Sequence, residues 1–429
     1  MTHVAERQET YAAGFDAFRL TPAFGSGALP AAREAAFGRF RAAGFPTTRH
    51  EEWRFTNVAP IAAIPFEPAA EAVVDGAAAR ALNFDGAVPW LVLVTNGRVS
   101  TPASLPAGVS VSTLAGAAAR AIPSGRPASA GVFVDLNTAF FEDVVLLDIA
   151  DGAVVDQPIH VLFIAATGHA ALVSPRLVVT AGEQAQCTII ESYADLGSGS
   201  VWVNAVTDVQ VAAGAVVDHV KLQRQDPESF HTASMFVRLG RASTFASRAI
   251  TLGAAIARND IVAVLDGEGA ECTLNGLYVA GGDSLVDTHT TIDHAKAHCP
   301  SHEVYKGVLA GRARAVFNGK IIVRPDAQKT DAKQTNKALL LTDEAQINTK
   351  PQLEIFADDV KCTHGATIGQ LDEDALFYLK ARGVGGVQAR NMLIHAFAGD
   401  VLTGVKAESV RETAMRLVDE KLHLNDSAD

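Results

Sequence analysis

Gly182-Glu183-Gln184-Ala185-Gln186-Cys187-Thr188-Ile189-Ile190 decides how this chain is read, because its layout returns. Gly214-Ala215-Val216-Val217-Asp218-His219-Val220-Lys221-Leu222 has the same form: a small turn, then a strand-length run rich in β-branched residues. Gly240 through Ile250 repeats it, and the turn Asp266-Gly267-Glu268-Gly269 leads into Ala270-Glu271-Cys272-Thr273-Leu274. The turn glycines Gly182, Gly214, Gly240 and Gly267 stand 26 to 32 residues apart, the scale at which one supersecondary unit stacks on the next. No long amphipathic helix separates the strands, which disfavours a doubly wound α/β sheet. An antiparallel sandwich is the competing arrangement, since spacing alone does not set strand order. The preferred reading is a mainly β fold built on a stacked parallel β-solenoid.

Composition supports that reading. The 429 residues are 48% hydrophobic but skewed to small and β-branched types, with 35 Gly and only 7% aromatic residues. A formal net charge of −12 leaves no basic excess to displace counterions, so neither a nucleic acid nor an anionic membrane is an expected partner. The polar start Met1-Thr2-His3-Val4-Ala5-Glu6-Arg7 lacks a signal-peptide pattern, and the apolar runs at Trp90–Val94 and Ile159–Ile164 are strand-length. Cys187, Cys272, Cys299 and Cys362 are far apart, without CxxC, so no disulfide framework or zinc knuckle is encoded. The expected setting is cytoplasmic and reducing.

Three regions follow: 1–130, helical at its start; 131–370, the solenoid core; and 371–429, helical. In the first, Pro30 suits a first helical turn, Phe37 and Phe40 share a face, and Gly44 with Pro46 ends the helix. A strand there ends in the turn Thr95-Asn96-Gly97. In the last region Asp372 can cap a helix carrying Leu376 and Leu379 that stops at Arg382-Gly383. A second helix places Leu393, Ala396 and Phe397 on one face and ends near Gly399, and a third carries Val410, Ala414, Leu417 and Val418. Such a tail either packs on its own core or docks with a partner.

The chemistry concentrates in Cys362-Thr363-His364-Gly365-Ala366-Thr367. On a strand, residues two apart share a face, so Cys362 and His364 form a soft sulfur–nitrogen pair suited to zinc, iron or an iron–sulfur species. A buried free cysteine beside a hydrogen-bonded histidine is the plainer alternative. A Cys–His nucleophile is disfavoured, because the base of such sites comes from a distant segment. His289, His294, His298, Cys299 and His302 make a second cluster, readable as turn residues or as a metal site. The polar run Asp326–Lys337 reads as a solvated turn or exposed rung. There is no Walker A loop, no GxGxxG at a strand–helix junction, no GxSxG and no HExxH. Any ATPase serving this chain must be a partner.

Several of these stretches carry a resemblance. Tyr305-Lys306-Gly307-Val308-Leu309, Val316-Phe317-Asn318-Gly319-Lys320 and Asp326-Ala327-Gln328-Lys329-Thr330-Asp331-Ala332 resemble the SufB/SufD family of iron–sulfur cluster assembly scaffolds. So do Gln334-Thr335-Asn336-Lys337, Thr349-Lys350-Pro351-Gln352-Leu353-Glu354-Ile355 and the Cys362–Thr367 stretch. Upstream, Leu136-Asn137-Thr138-Ala139-Phe140, Gln157-Pro158-Ile159-His160 and Trp53-Arg54-Phe55-Thr56 are similar to the family's earlier segments. His364-Gly365-Ala366-Thr367-Ile368-Gly369-Gln370-Leu371 resembles the SufD branch, since SufB sequences typically carry Glu after this His.

The resemblance implies a right-handed parallel β-helix and a non-catalytic scaffold that pairs with a SufB-like paralogue or, in isolation, with itself. It implies docking of a SufC-like ATPase on the C-terminal helices, with Leu376, Leu379, Leu393 and Phe397 the candidate contacts. It further implies a transient iron–sulfur cluster at the subunit interface. His364 and, more weakly, Cys362 would contribute there, with the remaining ligands from the partner and no cofactor held tightly by this chain alone. A β-helix carbohydrate-active enzyme and a structural zinc protein are the alternatives. The first needs a carboxylate pair in a groove, and none stands out.

Overall fold

The computed structural model describes residues 11–117, 120–122 and 131–426. The repeat is a parallel β-solenoid of about eight turns, whose strands alternate between two sheets from Val145–Ile149 to Lys361–Gly369. In the first sheet Trp202 pairs with Phe230, Phe230 with Ile256, Ile256 with Leu285, Leu285 with Arg314 and Arg314 with Gln346. Those steps of 26 to 32 residues match the glycine spacing read from the sequence. Every pairing along this stack is parallel, which rules out the sandwich.

The glycine turns form one corner of the solenoid. A single residue per rung there takes the left-handed conformation: Gln184 (φ 58°), Gly214 (66°), Ala242 (52°), Gly269 (70°), His298 (59°) and Lys329 (63°). Each donates its backbone N–H to a carbonyl on the next rung, as Gly214 does to Arg241 and His298 to Gln328. These ladder bonds hold residues other than glycine in a conformation that L side chains disfavour. Gly267 serves a different need, since a Cβ there would lie 2.1 Å from the Arg241 nitrogen on the rung below.

Side chains alternate inward and outward along each strand. The inward columns bury Val, Ala, Ile and Phe along the length of the solenoid. Midway they also enclose a polar knot, in which Glu191 accepts from Tyr193 (2.6 Å), Thr207 (3.0 Å) and His219 (3.2 Å). Burial pushes the Glu191 carboxyl up, but these donors and the nearby Lys221 outweigh it and hold its pKa at about 2. Lys221 donates to Asn259 at 2.7 Å, and burial lowers its pKa to about 8.

Helical segments cover both sheets. Leu29–Ala43 forms the expected helix, with Pro30 in its first turn and Gly44 (φ 65°) at its end. Its buried Phe37 stacks on Phe15 at 4.1 Å, in an aromatic cluster that reaches Trp202, Phe230, Ile256 and Leu285 of the first sheet. At the other terminus Asp372 caps Glu373–Ala381 by accepting from the Asp374 and Ala375 nitrogens. Gly386–Leu402 runs three residues past Gly399, where the sequence suggested a stop. Ile394, Ala398, Val401, Val410, Ala414 and Val418 bury against Val220, Leu222, Ile250, Leu277 and Val308 of the second sheet. No helix among the described residues is long and apolar enough to cross a membrane.

The two ends of the solenoid differ. At the start, short antiparallel strands close the sheets: Val109–Ser112 pairs with Val145–Ile149, and Arg98–Val99 folds back on Trp90–Thr95 through the Asn96-Gly97 turn. At the finish, Gln346–Ile355 and Lys361–Gly369 each pair with one neighbour, and among the described residues no strand covers the other edge. The polar run also departs from expectation. Asp331–Leu340 is a strand whose Ala332, Gln334, Asn336 and Ala338 are buried, so alternate residues line the interior.

Candidate functional site

Cys362 and His364 lie on the last strand, at that bare edge. Register places them. Cys362 continues the column Cys272–Ser301–Ala332, and His364 continues Leu274–Glu303–Gln334. All six of these predecessors are buried, at 0 to 1% exposure, so both columns face the interior. The shared face expected of a Cys-x-His strand is therefore present, and it is the interior face. No further rung covers it, so His364 is exposed and Cys362 half-buried.

Cys362 packs against Ile321, Val323, Ala327, Ala332 and Ala357. Its partial burial pushes the thiol pKa up, favouring the protonated form until a metal or cation draws it to thiolate. One rung below His364, the Gln334 amide nitrogen donates to Glu303 Oε2 at 2.7 Å. Full burial pushes the Glu303 carboxyl up to about 7. Sequence reading gave neither residue a role, although Gln334 stands two residues after Ala332 on one strand and Glu303 two before Tyr305 on another, a usable signal of an inward face.

The second histidine cluster does not converge. His289 stands on the outer face of the first sheet, between Asp287 (3.1 Å) and Glu52 (3.2 Å). His294 is interior and bonds Ser301 at 3.0 Å, His298 occupies the left-handed corner, and His302 is exposed on the second sheet. Cys299 is buried and directs its thiol at the Gly267 carbonyl. Among the described residues no group of three or more His, Cys, Asp or Glu could hold a metal ion.

His289 instead belongs to a clasp. Asp287, fully buried, is bound by Arg258, by the Thr56 hydroxyl and by His289. Arg258 lies 4.0 Å from the Trp53 ring centre. This pins the Glu51–Thr56 segment, which contains the Trp53-Arg54-Phe55-Thr56 stretch, onto the solenoid. Burial works against a charged His289, but Asp287 and Glu52 outweigh it and hold its pKa up at about 9.

On the C-terminal helices, Leu376, Leu379, Leu393 and Phe397 are half-buried. Phe397 packs toward the core, and Lys306 reaches its carbonyl at 2.9 Å. The exposed apolar side chains are Phe377, Tyr378, Val387 and Met392, the last two lining a shallow groove with His395, Ala396 and Asp419. Helical periodicity identified a face. The stripe Ile394, Ala398, Val401 then claimed the solenoid and turned a neighbouring face outward.

Comparison with known proteins places this architecture. Residues 163–397 match the SUF system FeS cluster assembly SufBD core domain, and residues 8–161 match the SufBD protein N-terminal region. An iron–sulfur cluster assembly SufBD family protein of Synechocystis is 33% identical over 385 residues, covering 85% of each chain. The iron–sulfur cluster assembly protein SufD of Escherichia coli is 30% identical over 383 residues, covering 88% of this chain and 90% of that one. A chloroplastic protein of Arabidopsis thaliana is 28% identical over 395 residues. The chain therefore belongs to the SufBD family of SUF-system iron–sulfur cluster assembly proteins and is SufD-like.

Proposed function

We propose that this chain is a non-catalytic, cytoplasmic scaffold subunit whose bare solenoid end pairs with a SufB-like paralogue, with a nascent iron–sulfur cluster assembled at the junction. The observation that carries the reading is the position of His364. It is an exposed imidazole on the interior face of a strand whose outer edge has no partner. A bare strand edge is a template for another strand. Pairing there would bring a partner's side chains over His364 and Cys362. Two ligands are too few for a cluster, so the partner supplies the rest. The same edge would let the isolated chain pair with a second copy.

The C-terminal helices are the docking site for a SufC-like ATPase in this reading. Leu376, Leu379, Leu393 and Phe397 brace the helices and contribute their half-exposed atoms to the contact. Phe377, Val387 and Met392 offer the larger exposed apolar area.

Replacing His364 with Ala tests the assignment in a complex reconstituted with SufB and SufC under anaerobic conditions. Iron and sulfide bound per complex should fall several-fold while SufC binding is retained. An unchanged cluster yield sinks the role given to His364.

A further inference from the structure

We propose that the chain binds a small, uncharged aromatic molecule bearing a hydroxyl group, in a cavity between its N-terminal segments and the first rungs of the solenoid. The site includes Leu172 of an early strand and lies away from the last rung, so nothing in it depends on the cluster-assembly reading.

The cavity encloses about 930 Å³, within the range of about 300–1,000 Å³ usual for small-molecule sites. Phe18, Phe66, Phe140 and Leu172 line it, and all four are buried. Contacts behind these walls hold them in place. Phe66 packs on Trp202 at 5.8 Å and on Phe230 at 6.0 Å between ring centres, and Phe18 stands 6.0 Å from Phe140. Glu67 and Pro68 pair as a short parallel strand with Ala171 and Leu172. A preformed space with aromatic surfaces favours a flat aromatic guest over a flexible chain.

Gly14 keeps the space open. It lies within the helical residues 11–18, where glycine is about 1 kcal/mol less favourable than alanine. Its φ is outside the left-handed region, so the backbone does not require glycine there. A Cβ at this position would find its nearest neighbours in Pro68 at 3.9 Å and Phe140 at 4.0 Å, which is ordinary contact. Both neighbours line the cavity, so a longer side chain at residue 14 would grow into it.

The polar part of the wall sets the chemistry of the guest. Arg98 and Glu142 form an ion pair there, and Arg98 also reaches the Ala69 carbonyl at 3.4 Å. Their charges cancel, and Glu67, the other charged lining residue, is exposed to solvent. A charged guest would therefore bring an unpaired charge into a largely apolar space. Burial pushes the Glu142 carboxyl up to about 7, although Arg98 and Arg33 pull it down. An ionised carboxylate offers about four acceptor positions, more than the single guanidinium occupies. A hydroxyl on the guest can donate to what remains.

Calorimetric titration of the full chain with 2-naphthol, naphthalene and 2-naphthoate reads each element of the proposal. The first should bind saturably at one molecule per chain. Naphthalene, which lacks the hydroxyl, should bind roughly tenfold more weakly, the factor that one hydrogen bond to a charged group corresponds to. Charged 2-naphthoate should bind at least tenfold more weakly than 2-naphthol. Glu142→Leu should bring 2-naphthol down to the affinity of naphthalene and leave naphthalene unchanged. Gly14→Leu, with an unaltered circular dichroism spectrum, should weaken both uncharged ligands at least tenfold. Absence of saturable 2-naphthol binding overturns the inference, as does binding that Gly14→Leu and Glu142→Leu both leave unchanged. Binding of 2-naphthoate as tight as that of 2-naphthol overturns the assigned ligand class.

Discussion

The strand Pro300–Leu309 and the strand Lys361–Gly369 are built alike, two rungs apart in one column, yet they lead opposite lives. In the first, Ser301, Glu303 and Tyr305 point inward and are buried at 0 to 2% exposure. In the last, Cys362, His364 and Ala366 occupy the same register and meet solvent. Alternation of side chains is a property of one strand, whereas burial depends on the rung that comes next. At its start the solenoid supplies the missing neighbour with antiparallel strands, and at its finish it does not. The terminal rung is thus an interior face that no strand among the described residues covers.

Perturbing the two kinds of rung should give opposite signatures. The largest effect on stability belongs to the covered body. Asp287→Ala would leave Arg258 buried with Asp260 as its remaining carboxylate and free the Glu51–Thr56 segment. Loss of one partner from such a buried pair costs about 3 kcal/mol or more, readable in chemical denaturation. A loss below about 0.5 kcal/mol, the ordinary surface range, would show that the clasp does not hold the segment.

A milder lever on the same clasp is pH. The folded-state pKa of His289 lies at about 9, above its ordinary value of 6.5. Its contribution is therefore complete below pH 6.5 and lost as pH rises through 9, a decline of roughly 3 kcal/mol at most. In His289→Gln the stability profile should flatten over that window.

The terminal rung should respond in the reverse sense. Ile368→Lys puts a charge on the inward face of the bare edge, where Ile368 is 47% exposed. Unfolding free energy should change by no more than about 0.5 kcal/mol, while self-association or pairing with a SufB-like subunit weakens at least about tenfold. Analytical ultracentrifugation separates these outcomes, and unimpaired pairing would move the interface away from this end. His364→Ala should leave the melting transition in place altogether and appear only in cluster yield.

Much of this was legible in the chain itself. The glycine spacing anticipated the rung length, because each stacked unit needs the same corner. Pro30, Gly44 and Asp372 marked helix ends through local bonding, which sequence carries well. The candidate pair Cys362 and His364 and the family resemblance were likewise read from linear motifs. Three features were not. Gln334 sat in a run taken for a solvated turn or exposed rung, since its composition is polar and its burial depends on Gly319 of the facing sheet. The histidines between 289 and 302 look like one cluster in sequence and scatter over an outer face, the interior and a corner. The tail helices showed a face, but which face turns inward depended on Val220, Leu222 and Ile250 across the solenoid.

Sequence alone determined the repeat, the helix ends marked by Pro30, Gly44 and Asp372, the same-face relation of Cys362 and His364 and the family, because each follows from local backbone chemistry or a linear motif. Tertiary structure decided which sides became interior, that no described strand covers the last rung and that His364 continues the column of Glu303 and Gln334. Those outcomes depend on register between strands about thirty residues apart, and register belongs to the stack rather than to any one strand.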